Sequence, residues 1–372
     1  MSIRAGVVGL RMGKNHALAL ARLADVELVA LCDIDRATAD ALADEIGRTA
    51  GRRPDVYTDY DRMLDDAKPD LVTIATPNRF HAAMTIAAAH SGAKAICCEK
   101  PIAVDLTEAR EMVAVCAERG VRLVVNHQRR LGRDFVWMRD AIASGAIGDV
   151  YLIRGTCAGD MLSDGTHLID SALFVAGDVD WKWTFAAHHR DDYESAATAA
   201  AAAAGSDAKS GGGFDKLGGW RFGHPVEDGM FAVVELENGV RVELLTGDLR
   251  VPGRPYHDIE VIGTRGSIWR AGDKEEQNLF IRSADGSWKP PARGADADAE
   301  PTADKIAASY ALLARLLAED RPDSDHPLGT PFAMRGFELL IGVYESARIG
   351  EIVRRPVVQE RYPLAVELGL DR

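Results

Sequence analysis

Two glycines near the start of the chain have the residue type and setting of a phosphate-binding turn. They lie in GVVGLRMGKNH, residues 6–16, between a strand-like run and a helix-like run. In the usual G-x-G-x-x-G fingerprint, the first glycine makes a tight turn, the second admits a pyrophosphate, and the third lets the helix pack on the strand. Here Gly9 is in the first position, Arg11 stands in the second, and Gly13 comes one residue early. The motif is therefore a weak signal for a dinucleotide, although the start of a helix still attracts an anion.

A carboxylate follows at the position where a dinucleotide-binding unit needs a ribose ligand. Asp33 comes 24 residues after Gly9, at the end of the second strand-like run. A carboxylate there accepts hydrogen bonds from the adenosine ribose and repels a 2′-phosphate, which favours NAD over NADP. Arg36 lies close enough to leave NADP open. A turn or helix-cap role is the structural alternative for Asp33.

A lysine follows a strand-like apolar run in the sequence AICCEKP. A lysine that is desolvated at the mouth of a sheet has a lowered pKa and is suited to act as a base near neutral pH. Lys100 is the candidate for that role, and a solvated surface lysine is the alternative.

A second polar set lies in SDGTHLIDSALFVAG. Asp164, His167 and Asp170 follow the spacing i, i+3, i+6, which predicts one broad face of a helix. Such a face can relay a proton between a hydroxyl group and a carboxylate. A structural histidine is the alternative for His167. For Asp164, a proton relay, a substrate ligand and a helix N-cap all remain open.

Two further polar stretches contain residue types found in metal or acid–base sites. HHRDD, residues 188–192, lacks the spacing of a defined metal site, so a solvated loop is favoured and no metal is expected. GWRFGHPVED, residues 219–228, contains His224 and Glu227 before a strand-like run. Pocket lining and an ordinary polar loop are both open for that stretch.

Alternating strands and helices must position the first set of residues. Through residue 127, strands of about six residues alternate with helices of about 10–15, a pattern typical of parallel βαβ units with helices on both faces of a sheet. The strand-like runs are almost continuously apolar, as in a sheet that is covered on both faces. The sequence predicts the α/β class, with a doubly wound parallel sheet in a Rossmann domain that binds NAD(P), over residues 1–127.

From about residue 150 the pattern changes to strands that follow one another without helices between them. MFAVVELENGVRVELLTGD contains two alternating runs around Asn238-Gly239, a strong hairpin signal, and YHDIEVIGTRGSIWRAG repeats the pattern. These runs predict a mostly antiparallel sheet, and two helical segments and an extended tail follow it. We expect an α+β domain over residues 128–372, with the C-terminal helix and tail packing back on the first domain.

Composition narrows the partners and the compartment. The net charge of −13 at pH 7 disfavours a nucleic-acid partner. No apolar stretch reaches the ~18 residues of a membrane span. The apolar run at the start of the sequence is too short for a signal peptide. We therefore expect a cytoplasmic protein without a membrane partner. The five cysteines have no zinc-like spacing, which predicts buried thiols. Residues 195–220 are expected to form an insertion loop, with a mobile flap as the alternative.

Several segments, taken together, resemble one family. In order along the chain they are TPNRFH (76–81), EKPIA (99–103), DGTHLID (164–170), EVIGTRGSI (260–268) and YESARIGEIV (344–353). With the N-terminal turn, they are similar to the Gfo/Idh/MocA family of oxidoreductases. The resemblance implies an N-terminal Rossmann domain and a C-terminal domain whose open sheet forms homodimers or homotetramers.

The resemblance also implies roles for individual residues. Lys100 would act as acid/base, while Asp164, His167 and Asp170, together with Lys100, would bind a carbohydrate-like substrate. In this family the acid usually stands four residues before the histidine, where this chain has Ser163. Pro101 would follow a cis peptide bond. The residues expected to bind NAD are Gly9, Leu10, Arg11, Met12, Gly13, Asp33, Ile34, Arg36, Thr76, Pro77, Asn78, His81, Glu99, Lys100 and Asn126.

The expected activity is hydride transfer between a secondary alcohol of a sugar, polyol or cyclitol and a nicotinamide cofactor. Two alternatives remain at this point. One is cleavage of a glycoside or an elimination that a tightly bound NAD assists by transient oxidation. The other is a sensor that binds NAD(H) or a sugar without catalysis, against which the presence of both Lys100 and His167 argues.

Overall fold

A computed structural model describes residues 2–191, 219–247, 256–272, 278–282, 286–290 and 302–370. The chain divides into two compact units, one within Met1–Leu131 and Pro301–Met334, the other within Gly132–Glu300 and Arg335–Arg372. The domain limits 1–127 and 128–372, and the packing of the tail on the first domain, stay predictions. The expected insertion at 195–220 lies, as far as residue 218, outside the described residues.

The first unit contains, among its described residues, a six-stranded sheet in the order β3-β2-β1-β4-β5-β6. Every neighbouring pair runs parallel. This is the predicted doubly wound arrangement. The order of the strands reverses between β1 and β4, and doubly wound sheets bind ligands at that point. The strands are β1 (Ile3–Val8), β2 (Val26–Cys32), β3 (Asp55–Tyr57), β4 (Leu71–Ile74), β5 (Ala95–Cys98) and β6 (Arg122–Val125).

Ten α-helices occur in the described part of the chain. Some begin at a side-chain cap: the Asp35 carboxylate accepts the Ala37 N–H at the start of α2, and Asp105 accepts the Glu108 N–H at the start of α5. The helices are α1 (Gly13–Leu20), α2 (Arg36–Ala50), α3 (Tyr60–Ala67), α4 (His81–His90), α5 (Leu106–Glu118), α6 (Arg133–Ala143), α7 (Thr166–Val175), α8 (Thr302–Ala318), α9 (Thr330–Ile349) and α10 (Pro363–Glu367).

Helix α8 packs in the core of the first unit although it lies late in the chain. Ile306, Tyr310 and Leu313 have the i, i+4, i+7 spacing of one helical face and are buried together with Leu20 and Ile46. The packing of α8 against α1 brings a tyrosine close to the glycine turn, although 294 residues separate Tyr310 from His16.

The second unit contains a nine-stranded sheet among its described residues, in the order β16-β15-β14-β13-β7-β12-β11-β8-β17. Only the pair β7–β12 runs parallel, so the predicted mostly antiparallel sheet is confirmed. A separate two-stranded sheet is formed by β9 (Trp220–Arg221) and β10 (His224–Pro225). The other strands are β7 (Val150–Ala158), β8 (Trp181–His189), β11 (Gly229–Leu236), β12 (Arg241–Gly247), β13 (His257–Gly263), β14 (Ser267–Ala271), β15 (Leu279–Arg282), β16 (Trp288–Lys289) and β17 (Val353–Arg354).

Both hairpins expected from the sequence are present, since β11 pairs with β12 and β13 with β14. In the first hairpin Gly239 has φ +84°, and the Asn238 side chain accepts the Val240 N–H at 3.2 Å. The loop interpretation of HHRDD is wrong for His188 and His189, which end strand β8. Residues on one face of β8, such as Thr184 and Ala186, are buried, and the strand pairs with β11 on one side and with β17 on the other.

All five cysteines are buried free thiols, as predicted. Burial raises the pKa of Cys32 and Cys97 to about 12, which makes these thiols inert near neutral pH. None of the described helices is both long and apolar enough to cross a membrane.

Candidate active site

The glycine turn after β1 requires a glycine at its first position. Gly9 has φ +82°, and a Cβ on Gly9 would lie 2.6 Å from the carbonyl oxygen of Ala75. The Gly9 N–H donates to the Cys32 carbonyl at 2.9 Å, which joins the turn to the end of β2. A side chain at this position would therefore push apart the ends of β1 and β4.

Gly13 performs the packing role of the third fingerprint glycine one residue early. It is the first residue of α1, and a Cβ there would lie 3.0 Å from Cγ1 of Val7 on β1. Between the two glycines, Leu10 is buried, whereas Arg11 and Met12 are exposed. The shortened turn thus keeps the tight bend and the close helix–strand contact, and places a guanidinium on its outer surface.

Asp33 ties the end of β2 to the glycine turn. One carboxylate oxygen accepts the Leu10 N–H at 2.7 Å, and the other accepts the Asp35 N–H at 2.9 Å. The helix-cap alternative for Asp33 is wrong, because Asp35 is the N-cap of α2. Beside it, Ile34 is 89% exposed, and Arg36 pairs with Asp40 at 3.0 Å.

His81 connects the loops that follow β4 and β5. The buried ring places Nε2 2.9 Å from the Thr76 carbonyl oxygen and Nδ1 2.8 Å from the Pro101 carbonyl oxygen. Burial lowers the pKa of His81, and the hydrogen bonds to the Pro101 and Thr76 carbonyl groups act in the opposite direction. The Lys100–Pro101 peptide bond is cis, as expected. In the first of these loops, Pro77 precedes a 3-10 turn, Asn78–Phe80, in which Asn78 is buried.

Glu99, the first residue after β5, is a buried acceptor of several N–H groups. Its Oε1 lies 2.8 Å from Nε2 of His16 and 2.8 Å from Nδ2 of Asn126, and its Oε2 accepts the backbone N–H of Lys100 at 3.1 Å. Burial by itself would raise the pKa of Glu99, but the hydrogen bond and charge of His16, the charge of Lys100 and the hydrogen bond from Asn126 lower it to about 2. Glu99 is therefore ionised at neutral pH, next to a half-buried Lys100.

Sequence reasoning missed two residues that support Glu99, His16 and Tyr310. Nδ1 of His16 lies 2.6 Å from the Tyr310 hydroxyl, which lies 2.7 Å from the Thr73 hydroxyl. His16 could have been found from its place in the first turns of α1, right after the glycine turn. Tyr310 carried no local signal, because only the packing of α8 brings it to this point.

The second polar set lies in the second unit, around a π-helical turn, Met161–Gly165, that precedes α7. Asp164, His167 and Asp170 are all buried. They do not lie along one regular α-helical face as predicted, because Asp164 belongs to the π-helical turn and α7 begins only at Thr166. A π-helical turn widens the helix locally, and such turns are frequent at functional sites.

Arg221 and Tyr256 hold the Asp164 carboxylate. Oδ1 accepts the Tyr256 hydroxyl at 2.6 Å, and Oδ2 accepts Nη1 of Arg221. The same nitrogen also contacts Asp160 at 2.7 Å. Asp160 is the N-cap of the turn, since it accepts the Ser163 N–H at 2.7 Å. The cap alternative for Asp164 is therefore wrong, and its carboxylate is held by side chains instead.

Glu227 and His224 are buried beside the π-helical turn rather than in an exposed polar loop. Glu227 accepts the Met161 N–H at 2.6 Å and the Tyr344 hydroxyl at 2.7 Å. Burial and the negative charge of Asp160 raise the pKa of Glu227 to about 7. Burial also lowers the pKa of His224, whose Nε2 lies 3.3 Å from the Ser163 hydroxyl. Among the described residues, no group of three or more His, Cys, Asp or Glu side chains could hold a metal ion.

The glycine turn, the carboxylate after β2 and the strand order define a class of protein: one with a dinucleotide-binding Rossmann unit. Two family models refine this assignment. Residues 3–127 match the model described as an oxidoreductase family with an NAD-binding Rossmann fold, and residues 135–269 match the C-terminal domain of GFO/IDH/MocA proteins. The chain belongs to the GFO/IDH/MocA oxidoreductase family, and its first unit binds NAD.

Named relatives are sugar and cyclitol dehydrogenases. The chain is 29% identical to D-glucoside 3-dehydrogenase of Escherichia coli over 196 residues, 47% of this chain and 54% of that protein. It is 34% identical to inositol 2-dehydrogenase of Rhizobium meliloti over 193 residues, 48% of this chain and 56% of that protein. The chain thus spans about half the length of the curated relatives that it matches.

Solved structures share the fold over almost the whole chain. Scyllo-inositol dehydrogenase from Lactobacillus casei, with NAD(H) and scyllo-inositol bound, has a TM-score of 0.68 and 20% identity, covering 95% of this chain and 99% of that one. An oxidoreductase from Agrobacterium radiobacter in complex with NAD+, L-tartaric acid and magnesium has a TM-score of 0.72 and 19% identity, covering 95% and 98%. At these identities, the likeness shows the fold alone.

Proposed function

We propose that this protein is an NAD-dependent dehydrogenase that moves hydride between a secondary alcohol of a sugar, polyol or cyclitol and the nicotinamide ring. The observation that carries the proposal is the Glu99–Lys100 element: a half-buried lysine follows β5, and its backbone N–H donates to an ionised carboxylate. The named activities of the relatives, on glucosides, inositol and D-apiose, support the substrate class.

The glycine turn and the ends of the first-unit strands would hold the cofactor. Gly9 permits the tight turn at the end of β1, and Asp33 stands where a ribose ligand is needed. Oδ1 of Asn126 is buried and has no hydrogen-bond partner among the described residues, as expected of an atom that a ligand satisfies. When bound, NAD supplies the hydride acceptor.

The protein's own residues would manage the proton and the substrate hydroxyls. Nζ of Lys100 takes the hydroxyl proton as the alcohol is oxidised and returns it in the reverse direction. His167, Asp164 and Asp170 bind and orient hydroxyl groups. Arg221 and Tyr256 fix the Asp164 carboxylate, so that it presents oxygen acceptors in a set geometry. Several buried polar groups around one π-helical turn suit the recognition of a polyhydroxy compound.

We further propose that the protein is a cytoplasmic homodimer or homotetramer that associates through the large sheet. Phe185 on β8 is 40% exposed, and Phe231 on the neighbouring strand β11 is 43% exposed. Large aromatic side chains exposed on one sheet are typical of a surface that another chain covers. Light scattering of wild type and of Phe185→Lys would test this proposal, since a lysine in a buried interface should weaken association.

The decisive experiment screens neutral sugars, polyols and cyclitols for reduction of added NAD and NADP, with a check for cofactor that co-purifies. We expect NAD reduction with at least one compound, and Lys100→Ala should lower kcat by about 10²–10⁴-fold, the usual contribution of an acid/base group. Cleavage of a glycoside without net NAD reduction would instead establish the elimination alternative. Unchanged activity of Lys100→Ala would remove Lys100 from the reaction.

A further inference from the structure

Five buried polar side chains in the first unit form a chain of hydrogen bonds that hydride transfer does not by itself require. Thr73 on β4 contacts Tyr310 on α8 at 2.7 Å, and Tyr310 contacts His16 on α1 at 2.6 Å. His16 and Asn126 each contact Glu99 at 2.8 Å. Each of the five is 6% exposed or less. Such a network is costly unless its members satisfy one another, so it indicates a specific requirement at its end point, Glu99.

One protonation pattern satisfies the chain with a single charge. An ionised carboxylate can only accept hydrogen bonds, so Nε2 of His16 is the donor to Glu99. The other ring nitrogen of His16 bonds to the Tyr310 hydroxyl, which also contacts the Thr73 hydroxyl. Glu99 receives N–H groups from His16, from Asn126 and from the backbone of Lys100. Because three donors face it, the group at the end of the chain is a carboxylate and not a carboxylic acid.

The strand order places this carboxylate toward the nicotinamide half of a bound dinucleotide. Asp33, after β2, stands at the position of the adenosine ribose, and the turn at Gly9, after β1, stands at the pyrophosphate. A dinucleotide that extends from β2 across β1 next reaches the ends of β4 and β5, because those strands follow in the sheet. Glu99 is the first residue after β5.

We propose that His16, held by Tyr310, is a positioning residue that keeps Glu99 ionised beside the nicotinamide half of the site, and that this fixed charge favours NAD+ over NADH. The oxidised ring carries a positive charge that the reduced ring lacks, so a nearby carboxylate stabilises the oxidised cofactor selectively. The inference rests on the proposed NAD-dependent function and specifies which redox state of the cofactor the chain prefers.

The test measures the dissociation constants of NAD+ and NADH by calorimetry and NADH fluorescence, without substrate. In Glu99→Gln, which keeps the shape and removes the charge, the ratio Kd(NADH)/Kd(NAD+) should fall by about tenfold or more, since a neighbouring opposite charge shifts an ionisation equilibrium by about 1–3 log units. His16→Leu should lower the same ratio several-fold. His16→Gln, which keeps an N–H donor for Glu99, should restore most of it.

A pH series separates electrostatics from a general loss of structure. The titratable groups that influence Glu99 from the described elements around it are His16, His81, Lys100, Cys97, Cys98 and Tyr310. In wild type Glu99 is ionised from pH 5 to pH 8, so its own titration should not change the ratio in this range. In His16→Leu, burial is no longer offset by the His16 hydrogen bond, so the pKa of Glu99 rises and the ratio should fall toward pH 5.

His90→Gln is the matched control, because His90 is an exposed histidine at the end of α4 in the same unit. Equal weakening of NAD+ and NADH in Glu99→Gln would overturn the charge argument, because Glu99 would then only shape the site. A shift in Glu99→Gln without one in His16→Leu or Tyr310→Phe would overturn the role of His16; Tyr310→Phe serves if His16→Leu does not fold. Wild-type protein that binds neither nucleotide would instead refute the proposed function itself.

Discussion

Two buried carboxylates, one in each unit, both accept hydrogen bonds, but their pKa values are shifted in opposite directions. Glu99 has a pKa of about 2, because contacts with His16, Lys100 and Asn126 outweigh the effect of burial. Glu227 has a pKa of about 7, because burial and the charge of Asp160 outweigh its bonds from Tyr344 and the Met161 N–H. The His16 hydrogen bond and the positive charges beside Glu99, against the negative charge of Asp160 beside Glu227, decide which carboxylate is ionised at neutral pH.

The two units therefore use buried acids differently. In the first unit a carboxylate is kept as a constant charge at the end of a strand. In the second, Asp160, Asp164 and Glu227 lie around one π-helical turn, and Arg221 forms ion pairs with Asp160 and Asp164. Burial and the negative charge of Asp160 raise the pKa of Glu227, so Glu227 takes up a proton more readily than an exposed glutamate does. The second unit is thus the one whose electrostatics should respond to pH near neutrality.

Removal of the Arg221 guanidinium should produce the largest loss of stability. Arg221→Met leaves the charges of Asp160 and Asp164 uncompensated in a buried place, which costs about 3–5 kcal/mol when one member of a buried pair is removed. Urea unfolding monitored by tryptophan fluorescence measures this loss. The double variant with Asp164→Asn should recover part of it, because one uncompensated charge is gone.

Arg53→Met, in the loop that follows α2, provides a comparison in the first unit for the loss of stability expected in Arg221→Met. Arg53 pairs with Asp40 at 2.7 Å and with Asp44 at 2.6 Å, but the side chains are largely exposed. Exposed pairs contribute about 0–1 kcal/mol. A similar loss of stability in Arg53→Met and Arg221→Met would contradict the view that burial makes the second-unit cluster sensitive.

Because the pKa values of the two glutamates are shifted in opposite directions, their contributions to stability should change with pH in opposite directions. Glu227 has an ordinary value of 4.5 when unfolded and about 7 when folded, so the folded chain binds more protons between these values. The contribution of Glu227 to stability is therefore fully present below about pH 4.5 and is lost as pH rises through about 7, by up to about 3 kcal/mol. Glu227→Gln should remove this fall, which urea unfolding at pH 5 and pH 8 would detect.

Glu99→Gln is the counterpart in the first unit. Its folded pKa of about 2 lies below the ordinary value of 4.5, so its contribution is present above pH 4.5 and lost as pH falls toward 2. This variant should leave the slope between pH 5 and pH 8 unchanged. If Glu227→Gln had the wild-type slope in that range, Glu227 would not be the titrating group.

The comparison also separates what the sequence could predict from what it could not. The βαβ alternation and the Asn238-Gly239 hairpin were predictable, because both depend on residues close together in the chain. The Tyr310–His16 contact and the Arg221–Asp164 pair were not, because packing joins residues that are distant in sequence. The opposite pKa shifts of Glu99 and Glu227 also depend on neighbours that are distant in sequence. The charge state of neither glutamate could therefore be assigned from the sequence.

Arg11 provides the smallest and most discriminating test, on the cofactor side of the first unit. It is exposed on the outer surface of the glycine turn, where its charge can attract the pyrophosphate, but its Cβ also limits how closely the backbone approaches. Arg11→Ala removes the guanidinium and its stem but keeps the Cβ, and it should weaken NAD binding a few-fold, with less dependence on salt, because exposed charges contribute about 0–1 kcal/mol. Arg11→Gly removes the charge and also the Cβ. If Arg11→Gly binds NAD more tightly than Arg11→Ala, the missing glycine limits how closely the backbone approaches the cofactor. If the two variants bind NAD equally, the charge of the side chain alone matters. If neither variant differs from wild type, Arg11 takes no part in binding the cofactor.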